Sequence, residues 1–211
     1  MNEAAITYFN RAQRMLLDLH ISINTQLEMQ KGLENSRHSN EETLALFEGV
    51  TDAGHRLDRT RMKLRGNLNG LETGEVLIGV AAGAILQIAK QALSMGYEDP
   101  LNRAPAGRSV SCSCVRDLIW HGRNQAMHYE DTRLEPDLNS DGKVIDRRYR
   151  SSWVETFRKL HEKNPDRFQM THPFRSLAKD VLDALGWTDD YSKLENDMKV
   201  LLRVAATPLH G

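Results

Sequence analysis

The sequence predicts an all-α protein, a helical bundle of about six to seven helices in one domain spanning residues 1–211. Three observations carry that expectation. Apolar residues recur at three- and four-residue spacing through most of the chain. No two neighbouring segments alternate convincingly with the period of two that a strand pair requires. The longest pattern-free stretch, residues 132–150, lies between helical patterns.

The first helix is expected from Glu3 to about Gln30, because Ile6, Phe9, Met15, Leu16, Leu19, Ile23 and Leu27 fall on one stripe. Gly32, Asn35, Ser36, Ser39 and Asn40 mark residues 31–40 as a connector, with Asn40 as cap of a second helix and Glu41 and Glu42 in its first turn. That helix runs through Leu44, Phe47, Leu57 and Leu64 towards Arg65, weakened by Gly49 and Gly54. It carries a basic run, Arg56, Arg59, Arg61, Lys63 and Arg65, which reads first as a solvated face and second as a phosphate-binding surface.

Gly66, Asn67, Asn69, Gly70 and Gly74 mark a loop, and Val76 to Ala89 follows as the most apolar segment, interrupted only by Gln87. A bilayer span needs about 20 such residues, so this segment is expected to be a core helix and not a membrane anchor. Its small residues, Gly79, Ala82, Gly83 and Ala84, offer a smooth stripe for close helix packing in the core or across a dimer.

Pro100, Pro105 and Gly107 make residues 97–107 a loop. Ser109 or Ser111 is the expected cap of a helix running to about Asp131, with a kink expected at Gly122. Residues 132–150 read as an irregular insertion with at most a short hairpin around Val144 and Ile145. Trp153, Val154, Phe157 and Leu160 indicate a helix ending before Pro165, and Phe174 to Leu185 another, stopped by Gly186. Thr188 or Asp189 is the expected cap of a last helix with the face Tyr191, Leu194, Met198, Leu201, Leu202 and Ala205, ended by Pro208.

Composition narrows the function classes. The 28 Lys and Arg are matched by 29 Asp and Glu, a formal charge of −1, which excludes a generally basic, nucleic-acid-coating surface. Any nucleic-acid contact is therefore expected to be local. Cys112 and Cys114 are the only cysteines, without the second ligand pair of a structural zinc site, and the remaining histidines are scattered, so neither metal nor cofactor is expected. Met1-Asn2-Glu3-Ala4 carries no signal-peptide pattern, and the expected compartment is the cytoplasm.

The densest chemistry lies in Trp120-His121-Gly122-Arg123-Asn124-Gln125-Ala126-Met127-His128-Tyr129-Glu130-Asp131. Asn124 and His128 are four apart and share a helix face. Arg123 and His128 are five apart, about 140° around the axis and roughly 7.5 Å along it, so the long arginine must bend towards the imidazole. These groups suit RNA cleavage, because RNA carries its own nucleophile, the 2′-hydroxyl. A histidine can take up that proton or protonate the leaving 5′-oxygen, and a guanidinium can stabilise the charge of the pentacovalent transition state. Asn124 would orient the imidazole or a phosphate oxygen.

Arg123-Asn124-x-x-x-His128 resembles the Arg-polar-x-x-x-His motif of the HEPN superfamily, small all-helical proteins that commonly act as metal-independent RNA-cleaving toxins or host-defence ribonucleases. The resemblance implies a HEPN-like bundle, catalytic Arg123 and His128 supported by Asn124, a homodimer with a composite cleft, and an antitoxin or defence-complex partner. In one branch of that family a tyrosine two places after the histidine is nucleotidylated by the antitoxin. Here Tyr129 follows His128 directly and position 130 is Glu, a departure from that branch.

The same spacing occurs twice more. Arg116-Asp117-x-x-x-His121 is the serious competitor, while Arg167-Phe168-x-x-x-His172 runs into Pro173, which opposes a continuous helix. His121, Arg116, Tyr129 and Glu130 are kept as auxiliary candidates. Arg147, Arg148 and Arg150, just beyond the motif, are candidate RNA-backbone contacts with a solvated loop as the equal alternative. Beside the nuclease stand two other readings: a non-catalytic helical module that binds RNA, a nucleotide or a protein, and a purely structural helical protein.

Overall fold

A computed structural model describes residues 3–47, 54–131, 134–138, 144–149, 151–170 and 174–204. Among these residues, seven helices and two small hairpins follow one another in the order α1 (Glu3–Leu46), α2 (Gly54–Gly96), α3 (Pro100–Arg103), β1 (Ser109–Val110), β2 (Ser113–Cys114), α4 (Val115–His128), β3 (Leu134–Leu138), β4 (Val144–Tyr149), α5 (Trp153–Lys163), α6 (Ala178–Leu185) and α7 (Tyr191–Leu201). The protein is an all-α bundle, as its periodicity predicts.

The frame is an antiparallel pair, α1 and α2, of 44 and 43 residues. Each is about 65 Å long. Their register can be followed from end to end. Ala5 lies against Gly96, Gln30 against Gly74, Leu33 against Gly70, Ser36 against Asn67 and Phe47 against Arg56.

The expected connector at 31–40 and loop at 66–74 are therefore both helix. Ser36, Asn67, Gly70 and Gly74, among the residues that suggested turns, instead form contacts between the two rods, while Gly32 and Gly66 face open space. A Cβ at Gly70 would stand 2.9 Å from Leu33 Cδ1, and one at Gly74 would stand 3.2 Å from Gln30 Nε2. Asn67 Nδ2 donates to Ser36 Oγ at 2.9 Å, and Gln30 Nε2 donates to the Leu71 carbonyl at 3.2 Å. Asn40 lies inside α1 and caps nothing. Close approach of a partner helix overrides the weak helix propensity of glycine and asparagine.

Among the described residues, only one end of this pair is covered. Phe9, Leu16 and Ile23 of α1 and Ile78, Ile85, Leu86 and Leu93 of α2 are buried in one core with Leu118 and Ile119 of α4, Trp153 and Phe157 of α5, Val181 and Leu182 of α6, and Leu194 and Met198 of α7. The other end is a two-helix arm. The apolar run of Val76 to Ala89 belongs to the covered end, yet as part of a 43-residue helix it is long enough to cross a bilayer by length and composition. Half of its most apolar window is buried inside the protein.

Smaller elements depart from expectation at their ends. Ser109 and Ser111 cap nothing: they sit in the β1–β2 hairpin, whose turn holds Ser111 at φ 54°, and α4 begins only at Val115. It runs unbroken to His128, so the helix does not break at Gly122. The residues after α4 pair as β3 and β4, with Glu135 opposite Arg148 and Pro136 opposite Arg147, a longer hairpin than the sequence suggests. The helix α6 starts at Ala178, later than expected, and stops at Gly186 as predicted, this glycine taking the left-handed conformation at φ 68°. Asp190, not Thr188 or Asp189, caps α7 by accepting from Ser192 N. Ala205 and Pro208 lie outside the described residues.

Candidate functional site

The helix α4 is docked by its apolar side and by one close approach. Val115, Leu118, Ile119 and Gly122 are buried. A Cβ on Gly122 would meet Val181 at 3.1 Å and Leu86 at 3.3 Å, so this glycine lets α4 lie directly against α2 and α6. Gln125, 2 % exposed, donates from Nε2 to the Arg175 carbonyl at 2.8 Å and accepts from Leu177 N at 2.7 Å. Both its dipoles are satisfied by backbone, which fixes the rotation of α4 about its axis.

That rotation turns Asp117, His121, Asn124 and His128 into one outward stripe, since positions i, i+4, i+7 and i+11 overlay on a helix. Trp120 and Arg123 flank the stripe on the side of α2. Arg123 Nε donates to Gln87 Oε1, and its Nη1 donates to Asn124 Oδ1 at 3.5 Å. The same Asn124 oxygen accepts from Lys90 Nζ at 2.8 Å. That ammonium sits 4.3 Å from the centre of the Trp120 ring, a cation–π contact. Burial, and then the Arg123 charge, holds the Lys90 ammonium below the usual lysine range.

The remaining candidates fall in different places. His128 is the last residue of α4 and exposed; its carbonyl accepts from Asp131 N at 3.0 Å, and among the described residues its imidazole has no hydrogen-bonding partner. Tyr129 caps the helix half-buried, and Glu130 is exposed. His121 is half-buried with its Nδ1 sealed off and unpartnered. Burial pushes its imidazole below the ordinary histidine value, the nearby Lys90 adds to this, and Asp117 and Glu155 oppose it.

Arg116 acts as a structural tie. Its Nε pairs with Asp117 at 2.8 Å and its Nη1 donates to the Ala104 carbonyl at 2.9 Å, joining α4 to the end of α3. The rival Arg116–His121 spacing thus has its guanidinium already engaged. Arg167 lies in the turn after α5, and His172 lies outside the described residues. Arg147 and Arg148 are placed by backbone register on β4, their side chains and all of Arg150 being outside the described residues.

No protein-family model, curated protein or solved structure matches this chain. The site therefore rests on its own geometry. Two surface clefts, one lined by Glu3, Gly96, Tyr97 and Arg203 and the other by His20, Asn24, Glu28 and Asp189, include no motif residue. Among the described residues no three His, Cys, Asp or Glu converge into a group able to hold a metal ion.

Sequence reasoning missed Lys90 and Gln87, which reach the motif from α2. A signal existed. Gln87 is the single polar interruption of the apolar run, and Lys90, three residues on, shares its helix face.

Proposed function

We propose that this protein is a metal-independent endoribonuclease of the HEPN type, a toxin or antiviral effector of the cytoplasm restrained by an antitoxin or a defence complex. The observation that carries the reading is the outer side of α4. Arg123 has no acidic partner among the described residues, Asn124 stands beside it, and His128 is exposed on the same helix. In this reading His128 moves the proton of the 2′-hydroxyl or of the leaving oxygen, Arg123 steadies the phosphorane charge, and Arg147, Arg148 and Arg150 contact the RNA backbone.

The reading includes a homodimer. Val76 and Val80 on α2 and Met127 on α4 stand 65 %, 67 % and 62 % exposed around the motif, an apolar margin suited to a second copy whose motif completes the cleft.

The test is incubation of mixed RNA with the parent, Arg123→Ala and His128→Ala in chelator. Cutting by the parent that leaves 2′,3′-cyclic phosphate and 5′-hydroxyl ends is expected, with DNA untouched and each variant slower by about 100-fold or more. A second reading, a non-catalytic module that binds RNA, a nucleotide or a protein, is favoured by one observation: among the described residues no side-chain hydrogen bond links His128 to Arg123 or Asn124. Intact RNA after incubation with folded parent protein selects it.

A further inference from the structure

Lys90 and Arg123 converge from two helices on one neutral acceptor, the Asn124 side-chain oxygen, at 2.8 and 3.5 Å. Neither has a carboxylate partner among the described residues, although the protein pairs other cations, including Arg108 with Asp197 and Arg175 with Asp180, each at 2.9 Å. Two neighbouring cations, one of them partly withdrawn from water, repel each other, and an amide oxygen offers only a partial charge in return. The third charge-bearing neighbour, His121, is pushed towards its neutral form by burial and by Lys90, with Asp117 and Glu155 opposing. Lys90 and Arg123 themselves thus face each other with no carboxylate at ion-pair distance among the described residues.

The shape of the cluster indicates which anion suits it. A carboxylate presents two oxygens on one side and suits a single guanidinium fork, whereas the oxygens of a tetrahedral phosphate diverge and can accept from donors on separate elements. Because Lys90 Nζ and Arg123 Nη1 contact the same Asn124 oxygen, at 2.8 and 3.5 Å, they are close enough for one phosphate group to accept from both, and the Trp120 ring centre lies 4.3 Å from the ammonium.

We propose that Lys90 and Arg123 form a two-cation seat for a phosphate group of the RNA backbone, with Asn124 as its spacer. The seat rests on the nuclease reading for the source of that phosphate and adds to it a substrate-binding residue, Lys90, outside the motif.

The test titrates the full chain with inorganic phosphate and with a 2′-deoxy oligonucleotide, which binds through its phosphates but cannot be cut. Binding of both by the parent is expected, weakened about tenfold in Lys90→Met and largely restored in Lys90→Arg. Equal binding by the parent and Lys90→Met overturns the seat. Lys90-dependent binding of inorganic phosphate without the oligonucleotide overturns its assignment to a nucleic-acid backbone. A measurement on the parent alone guards against a misfolded variant: on phosphate addition the Trp120 indole resonance should move, while those of Trp153 and Trp187, both buried in the core, stay still. No movement of Trp120 overturns the proposal.

The two readings fail separately. Lys90-dependent phosphate binding in a protein that cuts no RNA keeps the seat and removes the nuclease. RNA cleavage by Lys90→Met with the parent's kcat and KM keeps the nuclease and removes the seat.

Discussion

The two ends of the α1–α2 pair are built from the same two helices in the same register, and they are held by different physics. At the covered end, Phe9, Leu16, Ile85 and Leu86 are sealed by α4 to α7. Along the arm, from about Gln30 to Gly74, Thr60 is the only buried residue among those described short of Gly74 itself. There the helices meet through glycine, serine and asparagine and carry ion pairs within one helix: Lys31–Glu28, Arg37–Glu41, His38–Glu42 and Arg61–Asp58. Such exposed pairs contribute only about 0.2–0.5 kcal/mol each. The comparison teaches that helix continuity and helix anchoring are separate properties here, and that the chemistry of α4 sits where the anchoring is strong.

Matched substitutions on α1 test this most sharply. Leu16, with no exposure, and Leu46, 78 % exposed, lie on the same helix. Leu16→Ala should cost about 2–5 kcal/mol in urea unfolding, and Leu46→Ala should stay within about 0.5 kcal/mol. Equal losses would mean that the arm, too, has a core-like partner.

Glycines give a second contrast, smaller and opposite in sign. Gly122→Leu forces a side chain between Val181 and Leu86 and should destabilise by about 1–3 kcal/mol, with loss of any activity that needs α4 in place. Gly32, inside α1, has open space around its missing Cβ, and Gly32→Ala should stabilise by about 0.5–1 kcal/mol. A thermal melt of each variant decides.

The smallest effect expected is a pH dependence confined to the covered end. Burial pushes His121 below 6.5, the ordinary histidine value. The unfolded chain therefore holds more protons in the window below that value. Stability rises with pH across this window and is lost as pH falls through the folded-state value. Unfolding midpoints at about pH 5 and about pH 7.5 should differ more in the parent than in His121→Gln, while amide exchange in the arm should not share that dependence.

Much of the bundle was legible because its signals are local. The stripe from Ile6 to Leu27, with Met15 the exception at 59 % exposure, the Gly186 stop and the buried face of Leu194, Met198, Leu201 and Leu202 follow from spacing alone. The arm was not legible, since Ser36, Asn67 and Gly70 carry the same letters whether they turn a chain or let two helices touch; only the partner helix decides. The site divides in the same way. The motif on α4 could be read within one segment, whereas Lys90 and Gln87, 34 and 36 residues from Asn124 and Arg123, belong to it only after α2 and α4 pack.

Gln125 carries a consequence for how this protein can vary. Its amide reads the main chain at Arg175 and Leu177, and every residue type presents the same carbonyl there and, proline apart, the same N–H. Drift in the side chains at those two positions leaves the azimuth of α4 intact. Drift at Gln125 does not, because few other side chains donate and accept at that reach. In a library of random variants selected for activity, position 125 should therefore tolerate far fewer residue types than position 175, whereas Leu177, fully buried in the core, is restricted by its own packing. A glutamine with no contact to any ligand would score like a member of the motif beside it.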